Sequence, residues 1–335
     1  MDAATLAPHS AYALPALLHI IGRGARGSRD LGRDQARDLM HQLLDGSADL
    51  SQTGAALMAL RLKGETAEEL TGFADALRPR LPQPPLHRPA VVLASVNGAR
   101  KLPNLVPLLA LLLRQHGVPL LVIGHEQADG RMHTATLWAR LRLPFADSAE
   151  QAATGLNAGE AVYLPLAAFS PELAALLDLR QRLGVRNIAH TLVKLIAPLR
   201  GPHLLLAGYT HAAYAPLMQE TLDAHGSAAL LLHGCEGEAV PHPSRATTLL
   251  PSAAAAATGV DCTTPLHSAP VADPLPDGTD AASCAAWSEA VASGHVPAPP
   301  ALDDFTARVA RTALRLGASP APAPSRSPQL SEELR

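Results

Sequence analysis

Apolar residues in the first eighty positions recur every three or four residues, and a glycine or a polar residue ends each run. This spacing is typical of amphipathic helices that pack against one another. It predicts helices over Ala11–Ile21, Arg33–Leu44 and Ser51–Leu62, and a fourth from Thr66 onward. We expect Ser51 to cap the third helix and Thr66 to cap the fourth, where Glu68 and Glu69 complement the helix dipole.

The pattern changes after a proline-rich stretch. Five prolines in the eleven residues from Pro79 to Pro89 cannot continue a helix or a sheet, so residues 81–89 are predicted to form a stiff linker. Beyond it, the short apolar runs predict buried strands at Val91–Ala94, Leu120–Ile123, Ala161–Leu164, His203–Ala207 and Ala228–Leu232. The longer segments between them predict helices near Asn104–His116, Arg131–Leu141, Glu172–Arg182, Ile188–Ile196 and Tyr214–Ala224.

Alternation of strands and helices favours an α/β fold with a mostly parallel sheet, which binds ligands beyond the carboxyl ends of its strands. We therefore predict a small all-helical domain over residues 1–80 and an α/β domain over residues 90–318. From Pro251 onward the chain is rich in Ala, Pro and Ser, with helices expected near Ala281–Ser293 and Asp304–Leu316. Residues 319–335 have low complexity and are expected to be disordered.

Composition narrows the class of protein. Aromatic residues make up only 3% of the chain, so a nucleic-acid binder of this composition has to rely on phosphate contacts rather than on base stacking. The net charge of −3 hides an asymmetry, because residues 1–200 carry 21 Lys and Arg against 17 Asp and Glu, whereas residues 201–335 carry 6 against 13. A local electropositive face is compatible with this distribution, and ordinary drift in composition is the other explanation.

The cysteines and the apolar runs indicate in which cellular compartment the protein is expected. Three cysteines without a CxxC spacing fit a reduced cytoplasm better than a disulfide framework. No basic segment precedes an apolar stretch at the start, and the longest apolar run, Leu105–Leu113, is too short to cross a membrane. We expect a soluble, cytoplasmic protein without a membrane partner.

Three basic groups are candidates for phosphate binding. In the first, Arg23, Arg26 and Arg29 alternate with glycines, and Arg33 and Arg37 come next. The glycines permit close approach of a phosphate backbone, and the arginines align at helical spacing if the second helix begins early. The alternative is a solvated helix face, because an aspartate directly follows Arg29, Arg33 and Arg37.

The second basic group lies in the loop after the first predicted strand. Asn97 and Gly98 precede Arg100 and Lys101 at a strand-to-helix turn. The N–H groups of such turns receive anions in α/β folds. We therefore expect these four residues to bind phosphate, and the alternative is a plain turn with solvated charges.

The third basic group follows the third predicted strand. It contains Arg180, Arg182, Arg186 and Lys194. Arg182 and Arg186 lie on one face if their helix is continuous, whereas a break at Gly184 would place them at a helix junction. We expect the group to contribute to phosphate binding, although one of its members could serve in a structural ion pair.

The sequence contains no established motif for catalysis or metal binding. It has no HExxH, GxSxG, Walker A or Rossmann glycine pattern, and its histidines lack ligand spacing within one element. Glu236 and Glu238 follow a strand and are either cation ligands or ordinary loop acids. We therefore predict no catalytic residue, no bound metal and no cofactor.

Several segments resemble the glycosyltransferase family of anthranilate phosphoribosyltransferases and pyrimidine nucleoside phosphorylases. Ala55–Gly72 is similar to that family's helical-domain signature, and Arg180–Pro198 and His233–Gly237 support the resemblance. It implies a small helical domain attached to a larger α/β domain, with dimerisation through the helical part.

The resemblance also implies that the diphosphate-binding motifs of the family are lost. The Gly-Thr-Gly-Gly-Asp loop of the enzymes falls on Ser95–Ala99, where only Gly98 matches. The Asn-x-Ser-Thr motif that follows falls on Asn104–Pro107 and has lost both hydroxyl groups. The chain therefore lacks the glycines and hydroxyls with which the enzymes surround a diphosphate.

The acceptor and metal motifs are reduced in the same way. The Lys-His-Gly-Asn-Arg motif of the enzymes keeps only His125, and their metal-binding Asp-Glu pair falls on Ala239 and Val240. Arg180 matches the arginine that contacts anthranilate in the enzymes. Because the loop and the metal ligands are lost together, the resemblance implies that phosphoribosyl transfer is absent.

What is left resembles the DNA-binding, YbiB-type subgroup of this family. The resemblance is carried by Ile21–Arg23, Arg29–Arg33, Asn97–Lys101, Gly184–Asn187, His190–Leu192 and His233–Glu238. It implies a homodimer with a basic groove that binds nucleic acid (single-stranded DNA, double-stranded DNA or RNA) without strong sequence preference. Two alternatives stay open: a phosphoribosyltransferase with an unknown acceptor that uses His125 and Arg180, and a small-ligand sensor without turnover.

Overall fold

The computed structural model of the protein describes residues 11–127, 130–267, 275–276 and 278–318. Its N-terminal part contains the helices α1 (Leu14–Ile21), α2 (Arg33–Leu44), α3 (Leu50–Lys63) and α4 (Ala67–Leu77). Helix α2 has the predicted bounds, whereas α1 begins at Leu14 rather than Ala11, with Pro15 in its first turn. The predicted disordered tail at residues 319–335 lies outside the described residues.

Side-chain caps determine where α3 and α4 begin. Asp49 caps α3, because its carboxylate accepts the N–H of Gln52 at 2.8 Å while the Gln52 side chain accepts the N–H of Asp49 at 3.0 Å. The prediction of Ser51 as this cap is wrong, since Ser51 lies in the first turn and donates its hydroxyl to Asp49. The predicted Thr66 cap of α4 is confirmed by reciprocal bonds with Glu69.

Helices α2 and α4 pack closely against each other. Gly72 lies at their contact, where a Cβ atom would approach the carbonyl oxygen of Arg33 to 2.2 Å and the Cβ of Ala36 to 2.8 Å. Only glycine permits this approach. Leu39 and Phe73 are fully buried beside it, in a core that continues onto one face of the sheet.

Hydrogen bonds hold the proline-rich segment against the α/β domain. The N–H of Leu86 donates to the carbonyl of Arg200 at 2.7 Å, and the N–H of Arg200 donates to the carbonyl of Pro84 at 3.1 Å. The side chain of Asn157 accepts the N–H of His87 at 2.8 Å. These bonds fix the path of the chain from the helical part to the first strand, and the predicted domain boundaries stay a prediction.

The described residues form one six-stranded sheet with the strand order β3-β2-β1-β4-β5-β6. Its strands are β1 (Ala90–Ser95), β2 (Leu120–Gly124), β3 (Val162–Pro165), β4 (His203–Tyr209), β5 (Ala229–His233) and β6 (Leu249–Pro251). Strands β1 to β5 pair in parallel, and β6 is antiparallel to β5. The five predicted strands are confirmed, while the three-residue β6 was not predicted.

Helices cover both faces of this sheet. They are α5 (Val106–Gln115), α6 (Thr134–Arg140), α7 (Ala149–Ala158), α8 (Pro171–Leu183), α9 (Ala189–Leu192), α10 (Tyr214–Ala224), α11 (Ala253–Ala256), α12 (Ala281–Ala292) and α13 (Pro300–Ala318). Apolar residues on one face of the sheet join the core of the helical part, and those on the other face pack with α5, α12 and α13. The predicted fold class, a small helical N-terminal domain with a mostly parallel α/β domain, is confirmed.

No helix within the described ranges combines the length and the apolar character needed to span a membrane.

Candidate anion-binding loop and interdomain cleft

A cleft separates the helical part of the chain from the carboxyl ends of β1 and β4. It has a volume of about 610 Å³, including space open to solvent. The helical part lines it with Arg61 and Glu65, and the α/β domain lines it with Asn97, Arg186 and Lys194. We call it the interdomain cleft, and its position beyond the strand ends is where parallel α/β folds bind ligands.

The loop from Ser95 to Lys101, which we call the anion loop, lies at one wall of this cleft. The N–H groups of Asn97 and Gly98 both donate to one carboxylate oxygen of Glu238, at 2.9 and 2.8 Å. Glu238 is only 1% exposed, so these bonds form away from solvent. The two N–H groups therefore already have an anionic partner that belongs to the chain itself.

A second carboxylate, that of Glu236, accepts N–H groups at the other end of the anion loop. Glu236 accepts the N–H of Arg100, and it accepts the N–H of Lys101 at 2.9 and 3.0 Å. The N–H of Ala99, between them, donates to the carbonyl of Met132 at 2.9 Å. The loop thus has the geometry of an anion site, as its position predicts, but its backbone donors bind two glutamates instead of a phosphate.

A tight turn after β5 brings both glutamates to the anion loop. Gly237 adopts φ of 95°, and a Cβ atom there would lie 2.9 Å from the side-chain nitrogen of Asn97. At Gly234 a Cβ atom would lie 2.2 Å from the carbonyl oxygen of Glu238. The glycines that flank the two glutamates are therefore required for this close contact, and both glutamates act as loop acids that cap N–H groups.

Lys194 lies on the other side of the same turn. Its ammonium group donates to the carbonyl of Gly208 at 2.6 Å and faces the carbonyl of Gly237 at 3.5 Å. Burial lowers the pKa of Lys194 to about 8, although the nearby charge of Glu238 acts in the opposite direction. Lys194 is thus a cation of the cleft whose charge depends on pH near neutrality.

His190 is a buried neutral group in the cleft. It is 5% exposed, and burial lowers its pKa to about 3, with Arg186 and Arg180 as further positive charges that disfavour protonation. Within the described residues, its Nε2 atom and the second carboxylate oxygen of Glu238 are buried without a hydrogen-bond partner. Buried polar atoms in this state are uncommon, and an ordered water, an ion or a ligand can satisfy them.

The first basic group lies in an exposed loop between α1 and α2. Arg23, Arg26 and Arg29 are exposed there, and Arg29 donates to the carbonyls of Ser28 and Arg26 at 3.0 and 3.3 Å. Because α2 begins only at Arg33, the arginines do not align along one helix as an early start would require. The three arginines lie in a loop outside the group of residues that lines the interdomain cleft.

Two further arginines of that group form ordinary ion pairs. Arg33 pairs with Asp75 at 2.5 Å, and Arg37 pairs with Asp34 at 3.0 Å. The solvated-face alternative is therefore right for Arg37, whereas Arg33 pairs with α4 rather than with an aspartate of its own helix.

The third basic group is divided by the end of α8. Gly184 ends the helix with φ of 73°, so Arg182 and Arg186 do not share one helical face. Arg180 donates to the side chain of Gln127 at 3.0 Å, Arg182 is exposed, and Arg186 lines the cleft. Of the predicted phosphate-binding residues, the structure thus brings Asn97, Arg186 and Lys194 together.

Sequence reasoning missed the groups that complete the cleft. Glu65 accepts the hydroxyl of Tyr214 at 3.1 Å, and burial raises the pKa of the Glu65 carboxyl group. The contact of Glu238 with Asn97 joins residues 141 positions apart, so no local pattern could reveal it. The sequence indicated Glu236 and Glu238 as possible loop acids, but nothing in it pointed to their partners in the anion loop.

Comparisons with known proteins agree with this architecture. Residues 17–80 match the family model of the glycosyl transferase family, helical bundle domain. The chain is 39% identical over 229 residues to the uncharacterized protein YbiB of Escherichia coli (strain K12), a match that covers 67% of this chain and 72% of that protein. It is 30% identical over 219 residues to the anthranilate phosphoribosyltransferase of Anaeromyxobacter dehalogenans (strain 2CP-C), and the match spans 64% of each chain.

Solved structures show the same fold at lower identity. The anthranilate phosphoribosyltransferase of Thermus thermophilus superposes with a TM-score of 0.67 at 22% identity, covering 87% of this chain and 93% of that one. The enzyme of Saccharomyces cerevisiae in complex with PRPP and Mg gives 0.62 at 13% identity, covering 91% and 93%. Together with the sequence matches, this likeness assigns the chain: it belongs to the family of YbiB and the anthranilate phosphoribosyltransferases.

Proposed function

We propose that the protein is a non-catalytic nucleic-acid-binding member of this family, which contacts phosphates through exposed Arg and Lys side chains without reading sequence. The observation that carries the proposal is the state of the anion loop. Its backbone donors are bound to Glu236 and Glu238, while the side chains of Arg100 and Lys101 are exposed. Neither side chain has an ion-pair partner among the residues that the structure describes.

Other exposed cations support the proposal. Arg23, Arg26 and Arg29 lie in one loop, and Arg182 lies at the end of α8. Each exposed cation that neutralises a phosphate releases a counterion, so affinity falls as salt rises and depends little on base sequence. Single-stranded DNA, duplex DNA and RNA share this phosphate backbone and are all candidate partners.

A homodimer is part of the proposal. Tyr12, Leu50 and Leu62 are exposed in the helical part, and Leu62 is 81% exposed. The family resemblance implies the dimer, and these side chains are candidate contacts for it. A dimer formed through the helical part would bring two sets of basic loops into one particle and increase the apparent affinity for a long strand.

The second candidate function is phosphoribosyl transfer, and the comparisons favour it, because the enzymes named among the relatives are phosphoribosyltransferases. The interdomain cleft, with Arg186 and Lys194, is compatible with a phosphorylated sugar. The residues do not fit a magnesium ion, however. Ala239 and Val240 carry no ligand atoms in their side chains, and the described part of the chain contains no group of three His, Cys, Asp or Glu that could hold a metal.

One experiment separates the two candidates. A fluorescently labelled single-stranded oligonucleotide and a duplex are titrated with the protein over a series of salt concentrations, and a parallel sample receives PRPP, magnesium and anthranilate. Nucleic-acid binding predicts affinity that falls steeply with salt and no PRPP-dependent product. Absence of binding even at low salt, or formation of phosphoribosyl-anthranilate above background, would overturn the proposal.

A further inference from the structure

A second pocket lies at the carboxyl ends of β2 and β3, and we call it the β2–β3 pocket. Gly124 and Tyr163 form its floor, and Phe145, Pro165 and Leu166 contribute its apolar walls. Its volume is about 680 Å³, including space open to solvent. Mostly apolar walls with a few polar groups are typical of sites that bind small ligands.

The floor carries a hydroxyl group that faces the pocket. Tyr163 is 3% exposed, and its hydroxyl group makes no hydrogen bond to the described residues and opens onto the pocket. The hydroxyl lies directly over Gly124, where a Cβ atom would be only 1.7 Å from it. Glycine at this position thus makes room for the phenol, and the phenol presents a hydrogen-bond donor to a mostly apolar pocket.

An exposed aromatic ring stands at the side of the same pocket. Phe145 is 42% exposed, and its ring centroid lies 5.2 Å from that of Tyr163 with an interplanar angle of 57°. Phe145 is therefore held in place by an aromatic contact while part of its face stays open to a ligand. In a chain with only 3% aromatic residues, this position is a candidate platform for stacking.

We propose that the β2–β3 pocket binds one unpaired nucleobase. The base would stack on Phe145, accept a hydrogen bond from the Tyr163 hydroxyl, and donate an N–H to the carboxylate of Glu126. Glu126 lines the pocket, is exposed, and makes no ion pair within the described part of the chain.

The position of the pocket relates it to the anion loop. The N–H of His125, which lines the pocket, donates to the carbonyl of Ser95 at 3.3 Å, and Ser95 begins the anion loop. A nucleic-acid strand whose phosphates contact Arg100 and Lys101 could therefore place a neighbouring base in the pocket. Binding of a base from such a strand rests on the proposed function, whereas binding of a free nucleoside does not depend on it.

The test uses nucleosides, which carry no phosphate and so avoid the cationic loops. Adenosine, guanosine, cytidine and uridine are titrated into the full chain and followed by saturation-transfer NMR. We expect saturable binding of at least one nucleoside, weakened about tenfold by Phe145→Ala and about fivefold by Tyr163→Phe. Leu314→Ala, which removes an exposed apolar side chain from α13, is the matched control and should not change binding.

Folding is checked separately for each variant. Because the Tyr163 hydroxyl has no partner in the described chain, Tyr163→Phe should unfold at the same urea concentration as the wild type. A loss of nucleoside binding in this folded variant supports a ligand contact rather than a structural role.

The outcomes separate the pocket from the proposed function. If no nucleoside binds saturably, or if both pocket variants bind as the wild type does, the pocket proposal is overturned, and salt-dependent oligonucleotide binding is unaffected. If nucleosides bind but oligonucleotides do not, the pocket proposal stands with a free nucleoside as its ligand. If Phe145→Ala weakens the binding of nucleosides and of oligonucleotides, the base in the pocket comes from a nucleic-acid strand.

Discussion

Replacement of Glu238 by alanine is the perturbation that most directly probes the internal occupation of the anion loop. In the wild type, one carboxylate oxygen accepts the N–H groups of Asn97 and Gly98 at 2.9 and 2.8 Å, and both donors are buried. Alanine leaves two buried donors without an acceptor, at a cost of about 1–3 kcal/mol each. We therefore expect the free energy of unfolding to fall by about 2–6 kcal/mol.

Glu236→Ala is the matched control for this variant. Glu236 also accepts two N–H groups, but those of Arg100 and Lys101 are exposed, so water can replace the carboxylate. We expect this variant to lose less than about 1 kcal/mol, as is usual for exposed hydrogen bonds. The two glutamates thus make the same type of contact and differ in burial.

The assay is equilibrium unfolding in urea, with the midpoint and the slope recorded for the wild type and both variants. Pyrophosphate is then added to each protein, because the emptied N–H groups of Glu238→Ala should receive an anion that the wild type has no room for. A larger upward shift of the midpoint in Glu238→Ala than in the wild type is the expected result. Equal midpoints for Glu238→Ala and Glu236→Ala would refute the reasoning from burial.

Three further predictions concern packing and protonation. Gly72→Ala should destabilise the protein by about 1–3 kcal/mol in urea unfolding, because the new methyl group collides with α2; an unchanged midpoint would contradict the contact. Burial lowers the pKa of Lys194 to about 8 from 10.5, so the unfolded chain binds this proton more tightly than the folded chain does. The free energy of unfolding should therefore rise between pH 8 and pH 10.5. This rise should be smaller in Lys194→Met. The pKa of His190 lies near 3 in place of 6.5, so its NMR signal should not titrate between pH 7 and 5. Its contribution to stability should be lost as pH falls below about 6.5. An NMR titration midpoint near pH 6.5 would contradict the burial of His190.

Most of the secondary structure could be predicted because local signals and tertiary packing agree. Helix α10 has the predicted bounds, and each predicted strand lies within a few residues of the observed one. The exceptions have physical causes. Helix α7 (Ala149–Ala158) was not predicted, because it has only four buried residues, all small except Leu156, and so lacks a clear apolar stripe. Asp49 replaces the expected cap Ser51 because the helix begins at Leu50, one residue before Ser51, so Ser51 lies in its first turn.

The candidate site was much less predictable than the fold. The basic residues Arg100 and Lys101 could be placed after a strand from the apolar pattern alone. Their N–H groups bind Glu236, which lies in a turn about 135 residues away along the chain. Only the order of the strands in the sheet brings this turn close to the anion loop. Similarly, the hydroxyl of Tyr163 comes to lie over Gly124 because β2 and β3 are neighbours, and no spacing in the sequence reveals this.

We propose that exposed side chains of the anion loop, rather than its backbone donors, bind the phosphates of nucleic acid. The most direct test compares the wild type with an Arg100→Ala, Lys101→Ala double variant in fluorescence-anisotropy titrations of a labelled single-stranded oligonucleotide over a salt series. An Arg114→Ala, Arg311→Ala variant, which removes two exposed cations from α5 and α13, serves as the control.

We expect weaker binding of every oligonucleotide sequence by the loop variant, with a slope of log affinity against log salt that is flatter by about 1.4, or about 0.7 for each lost phosphate contact. The control variant should retain the affinity and slope of the wild type. Wild-type affinity and slope in the loop variant, or no binding by the wild type even at low salt, would show that these side chains do not bind the phosphates.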